Sequence, residues 1–151
     1  MLSRQTVLRT ALAAGLVTLT LAGCGQLRPS QKMQIFEASL SPAQEVPPVA
    51  STATGAAEVQ FNENTNKLSW KITYTGLSAA VSGGHIHGPA SVGQNAGVVI
   101  PFTGNLIAQP IMGETTITPA QHAELAAGLY YVNIHTSRFP AGVIRGQLRL
   151  R

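Results

Sequence analysis

Between Lys67 and Thr75 the chain alternates without a slip. Leu68, Trp70, Ile72 and Tyr74 fall on one side; Lys67, Ser69, Lys71 and Thr73 fall on the other. Successive strand side chains point to opposite faces, so this period of two marks a half-buried antiparallel strand rather than a helix of period 3.6. A sheet with one apolar face must bury it against a second layer. The polar run Asn62-Glu63-Asn64-Thr65-Asn66 suits a hairpin link to a preceding strand at Gly55–Phe61, with an earlier strand at Gln34–Leu40. Further strands are predicted at Gly84–His87, Val98–Phe102, Glu114–Ile117, Leu129–Thr136 and Val143–Leu150. Many short strands separated by turn signals indicate an all-β sandwich or barrel. One short helix interrupts them: Thr118-Pro119-Ala120-Gln121 offers an N-cap, a first-turn proline and a glutamine for a capping box, and Gly128 terminates it. The alternation puts Trp70, Ile86, Val132, Ile134, Ile144 and Leu148 in the core, with Leu150 on the same face as Leu148.

The N-terminus has a different character. Arg4 and Arg9 precede or interrupt an apolar run to Leu21, which ends in Leu21-Ala22-Gly23-Cys24. A basic start, a short apolar core and small residues before a cut define an export signal over 1–23. The run is shorter than the ~20 apolar residues a membrane-spanning helix needs. Leu-Ala-Gly-Cys matches the lipobox of lipoprotein signal peptidases, which makes Cys24 the lipidation site and residues 24–32 a polar, lipid-anchored tether. The expected location is outside the cytoplasm, with the membrane as a partner through that lipid and the domain at 33–151 in the periplasm or extracellular space. Cys24 is the only cysteine, so no disulfide can form within the chain. Loss of Arg4 and Arg9 leaves 8 basic residues against 6 acids, all Glu, and these show no Lys/Arg stripe suited to nucleic acid. Without Asp, no Ser/His/Asp triad can be assembled.

The chemistry lies in the histidines. His85 and His87 flank Ile86 on an extended segment and so point the same way. In the Leu129–Thr136 strand the apolar set is Tyr130, Val132 and Ile134, which turns Tyr131, Asn133 and His135 away from the core. Arg145, Gln147 and Arg149 take the outer face of the last strand, and a hairpin through Ser137–Gly142 would set His135 beside Arg145 or Gln147 on the solvent side. If the His85–His87 strand is their neighbour, three imidazoles and an arginine meet on one sheet face. Neutral imidazoles suit copper or zinc. The alternative is that these histidines brace loops by hydrogen bonding. His122 on the helix reads as a surface residue. Met112 is either a thioether ligand for copper or a gap-filler. Gly93-Gln94-Asn95-Ala96-Gly97 is expected to be a loop with unusual backbone angles.

Five segments carry a family resemblance: Glu45-Val46-Pro47-Pro48-Val49; Ala53-Thr54-Gly55; His85-Ile86-His87-Gly88-Pro89-Ala90; Tyr131-Val132-Asn133-Ile134-His135-Thr136; and Pro140-Ala141-Gly142-Val143-Ile144-Arg145-Gly146-Gln147. In this order they resemble the CHRD (chordin) domain from about Phe36 to Leu150. The resemblance implies an antiparallel, Greek-key-like β-sandwich of immunoglobulin or superoxide-dismutase type, and it implies no settled activity. The His-x-His pair, the later His and the C-terminal Arg are also similar to the copper half of Cu,Zn superoxide dismutase. That similarity implies His85, His87 and His135 as copper ligands and Arg145 as an anion-steering residue. The absence of Asp removes the usual zinc site, so copper is favoured over zinc. Three functions follow as expectations: an envelope-anchored binding module for a copper ion or an envelope protein; a metal-free structural or adhesive domain; and a copper-only dismutase-like enzyme. No catalytic residue is assigned.

Overall fold

The computed structural model describes residues 32–151; the expected export signal over 1–23, Cys24 and the expected tether up to residue 31 lie outside them. The described chain forms β1 (Met33–Leu40), β2 (Thr54–Asn62), β3 (Lys67–Thr75), β4 (Val81–His87), β5 (Val98–Pro101), β6 (Ile111–Thr116), α1 (Pro119–Ala126), β7 (Tyr131–Thr136), β8 (Ile144–Gln147) and β9 (Arg149–Leu150). A single 3-10 turn at Pro42–Gln44 follows β1. The strands build two antiparallel sheets, a five-stranded one in the order β6-β3-β2-β1-β9 and a four-stranded one in the order β5-β4-β7-β8. β9 returns from the far end of the chain to lie beside β1, which gives the 9-1-2-3 order of a Greek key. The two sheets face one another across the apolar residues that the alternation selected. Ile86, Val132, Ile134, Ile144 and Leu148 are fully buried, and Trp70 is buried against Phe102, ring centroids 5.1 Å apart.

Local signals explain the connections. The β2–β3 hairpin closes through Asn66, whose φ of 56° is the left-handed conformation that Asn tolerates. The capping box of α1 is complete: Thr118 Oγ1 accepts the Gln121 amide at 3.2 Å, and Gln121 Oε1 accepts the Thr118 amide at 2.9 Å. The last predicted strand is in fact two. The chain leaves the four-stranded sheet at Leu148, whose amide bonds to the Tyr130 carbonyl, and joins the five-stranded sheet as β9. Leu150, expected in the core, therefore sits on a two-residue edge strand and is 56% exposed.

Trp70 carries a buried Nε1–H with no partner. An unpaired buried donor costs about 1–3 kcal/mol. Trp70→Phe deletes that group as well as apolar surface, so the two effects oppose. We expect a net loss below about 1.5 kcal/mol in urea unfolding followed by circular dichroism, since the only tryptophan is gone. A larger loss would mean that the indole N–H is satisfied.

An isolated bridge ties the end of β1 to β8. Ser41, just past β1, exchanges both backbone bonds with Arg145 of β8, at 3.0 and 3.2 Å. This turns the following strap, Pro42 to Val49, across the outer side of the four-stranded sheet. Among the described residues no helix is long and apolar enough to cross a membrane.

Candidate metal centre

The face that carries the histidines belongs to the four-stranded sheet. β4 pairs with β7 so that Gly83 faces His135, His85 faces Asn133 and His87 faces Tyr131. The neighbour relation that convergence requires is therefore present. His85 Nδ1 lies 3.0 Å from His135 Nε2, and one ligand nitrogen from each of His85, His87 and His135 falls within 4.8 Å of the others. Two nitrogens on one ion at about 2.0–2.1 Å can be no more than about 4.2 Å apart, so the widest pair must close by about 0.6 Å to share an ion.

The hydrogen bonds identify the free lone pairs. His87 Nδ1 lies 3.1 Å from the Ala96 carbonyl, and His135 Nδ1 lies 3.1 Å from the Pro140 carbonyl. A carbonyl only accepts, so both Nδ1 atoms carry the hydrogen and both Nε2 atoms are left as acceptors. His135 Nε2 then accepts from His85 Nδ1–H. His87 Nε2 is buried and has no partner. Metal-bound imidazoles commonly donate the second ring nitrogen to a backbone carbonyl, and His87 and His135 are already arranged so. Burial holds all three histidines below the ordinary imidazole range, helped by their mutual proximity for His85 and His135; His135 falls to about 4. The cluster is thus neutral at physiological pH, the form that binds metal.

The outer face is not solvent, contrary to the sequence expectation. Tyr131, Asn133, His135 and Arg145 are all less than a tenth exposed: the Gly93–Gly97 loop contacts Tyr131 and Arg145, Glu45 of the strap contacts Asn133, and His135 lies against His85 and the Pro140 carbonyl. The β7–β8 register also differs from the prediction: Arg145 faces Asn133, and Gln147 faces Tyr131, so His135 lies beside neither. Arg145 is 2% exposed. Its guanidinium carbon lies 3.4 Å from the Tyr131 ring centre, Nη1 donates to Asn95 Oδ1 at 2.9 Å, and Nη2 donates to the Gln94 carbonyl at 2.6 Å. A covered guanidinium with these donors engaged does not fit an anion-steering role. Met112 is 65% exposed on β6 of the other sheet and does not join the cluster. His122 stays apart from it too; its ring stacks on Phe61 at 4.0 Å and its Nε2 pairs with Gln34 Oε1 at 2.9 Å.

Sequence reasoning missed three partners on this face. Tyr131 stacks on His87, with ring centroids 5.0 Å apart and planes 4° apart. Asn133 donates from Nδ2 to Glu45 Oε2 at 3.4 Å. Glu45 Oε1 and Asn133 Oδ1 are both buried without a partner. Gly142, at φ 136°, makes room for them: a Cβ there would lie 2.5 Å from Asn133 Oδ1 and 2.7 Å from Glu45 Oε1. The face parity of Tyr131 and Asn133 was readable; the strap that brings Glu45 over them was not.

A family model described as the CHRD domain matches residues 36–148. No curated protein and no solved structure matches the chain.

Proposed function

This chain belongs to the CHRD-domain family, and on that footing we propose that it is an envelope-anchored binding module that holds one copper ion between His85, His87 and His135. The observation that carries the reading is the buried, unpartnered Nε2 of His87, in a ring that with His85 and His135 brings one ligand nitrogen from each within 4.8 Å of the others. A buried acceptor without a donor is costly in a fold that needs it for nothing else. Among divalent first-row ions, copper binds a given nitrogen site more tightly than zinc. A bound ion would take the two Nε2 atoms of His87 and His135 and one nitrogen of His85. If that nitrogen is Nδ1, it first gives up the hydrogen it shares with His135. The chain supplies neutral ligands, fixed ring orientations and a covered face; no catalytic step is assigned to it.

The test is a titration of residues 26–151, which include the whole described fold and lack Cys24, the only thiol and the rival copper ligand. We expect one copper per chain. Ligand histidines must be neutral, so affinity should hold as pH falls through 6.5 and fail only at the lower values that burial imposes. No binding at neutral pH would leave the metal-free structural reading. That reading has its own support: His135 has a partner at both nitrogens, and His85 and His87 each have one at Nδ1.

The anchor is proposed on Leu21-Ala22-Gly23-Cys24. Cys24→Ser is expected to release the protein from membranes or leave it unprocessed, read by fractionation and intact mass. Unchanged fractionation and mass would refute lipidation at Cys24.

A further inference from the structure

Arg145, Tyr131 and the Gly93–Gly97 loop form one continuous contact that ends on His87. The guanidinium holds the loop at two points, Asn95 Oδ1 and the Gln94 carbonyl, and covers one face of the Tyr131 ring. The Tyr131 ring stacks on the His87 ring, and its hydroxyl accepts the Ala96 amide at 3.1 Å. The Ala96 carbonyl, one residue past Asn95, receives the His87 Nδ1–H. The Gly97 carbonyl accepts the Gly88 amide at 3.2 Å, closing the loop onto the residue after His87. A second tie runs from Asn95 Nδ2 to the Val46 carbonyl of the strap.

We infer that Arg145 is a positioning residue for His87: by clamping Gln94 and Asn95 it places the Ala96 carbonyl where it selects the Nδ1–H tautomer and leaves Nε2 as the free donor to a metal. The inference rests on the copper reading for its purpose, and on contacts in the metal-free protein for its geometry. Without the carbonyl, a neutral imidazole exchanges its hydrogen between the two nitrogens, and the fraction with a free Nε2 falls. A lysine is no substitute. It keeps the charge but lacks the planar fork that reaches two acceptors and lies flat on an aromatic ring.

The experiment compares residues 26–151 with the same chain carrying Arg145→Lys, and with Asn95→Ala in case the first variant does not fold. Imidazole nitrogen shifts in the metal-free protein report the His87 tautomer directly, and the chain has only four histidines to assign. Copper titration reports the consequence. The wild type should show His87 as Nδ1–H. Each variant should shift His87 toward a tautomer mixture and weaken copper binding by about 10–100-fold, the usual cost of losing an outer partner of a metal ligand. A variant that melts earlier but keeps the wild-type tautomer and affinity would reduce Arg145 to packing and overturn the inference. So would a wild-type His87 that is Nε2–H. If the wild type binds no copper while the variants still shift the tautomer, the copper reading fails and the positioning of His87 by Arg145 stands.

Discussion

Replacing His135 with alanine is expected to weaken copper binding by more than about 100-fold and to destabilise the metal-free protein by about 1–3 kcal/mol. The first figure follows because losing only an outer partner of a ligand costs about 10–100-fold, and a ligand itself costs more. The second follows because His135 is only 9% exposed and bonded at both ring nitrogens, so its removal leaves the Pro140 carbonyl and His85 Nδ1 without their partner. His135 alone therefore does not separate a metal ligand from a brace, since both roles lose stability. His87 separates them. Its Nε2 has no partner in the fold, and the Ala96 carbonyl that takes its Nδ1–H also faces the Tyr131 hydroxyl at 3.4 Å. His87→Phe keeps a ring on Tyr131 and removes both nitrogens. We expect it to abolish copper binding while changing metal-free stability by less than about 1 kcal/mol. Urea unfolding and copper titration of the two variants settle the matter. Undiminished copper binding in His87→Phe would remove His87 from the ligand set.

The parts of this protein that were legible in sequence are those that one strand decides for itself. Period-two alternation assigned Trp70, Ile86, Val132 and Ile134 to the core and His85 with His87 to a single face, because face parity is a local property of extended backbone. The capping box of α1 was legible for the same reason. Register and cover were not. The offset of β8 against β7 depends on how Ser137–Gly142 folds, where the Val143 amide returns to the Ile134 carbonyl; that offset sets Arg145 against Asn133 rather than His135. Parity also says which side of a sheet a residue takes and nothing about what lies over it. The strap over Asn133 comes from residues 88 positions earlier in the chain, as the Glu45 contact shows. The sequence alternates normally through Leu148, so the transfer from β8 to β9 left no mark either.

That strap underlies the second large effect, a stability term that rises as pH falls. Glu45 is only 6% exposed, and burial pushes its carboxyl up to about 7, against the opposing pull of Arg145 and the Asn133 hydrogen bond. Its neighbour Asn133 donates Nδ2 to Oε2 while Asn133 Oδ1 and Glu45 Oε1, two acceptors, are left facing the same small space beside Gly142. A proton on Oε1 resolves both vacancies at once by donating to Asn133 Oδ1, which makes an acid–amide pair with two parallel hydrogen bonds. With an unfolded value of 4.5 and a folded value of about 7, the native state holds an extra proton between them. Stability from this group is therefore full below pH 4.5 and is lost as pH rises through about 7, for a total on the order of 3 kcal/mol. The buried histidines act in the opposite direction, because the unfolded chain takes up protons below about 6.5 that they refuse in the fold. The raw pH profile mixes the two contributions, and Glu45→Gln separates them. Its amide can donate to Asn133 Oδ1 at every pH and cannot titrate. The difference in unfolding free energy between wild type and Glu45→Gln should shift in favour of the variant by about 3 kcal/mol between pH 4.5 and 7.5, then level off. Carbon shifts of the six glutamate carboxyls give a second reading, with one titrating near 7 in the wild type and absent from the variant. A difference curve that stays flat over that range would mean Glu45 is ionised in the fold, paired with Arg145 rather than protonated against Asn133.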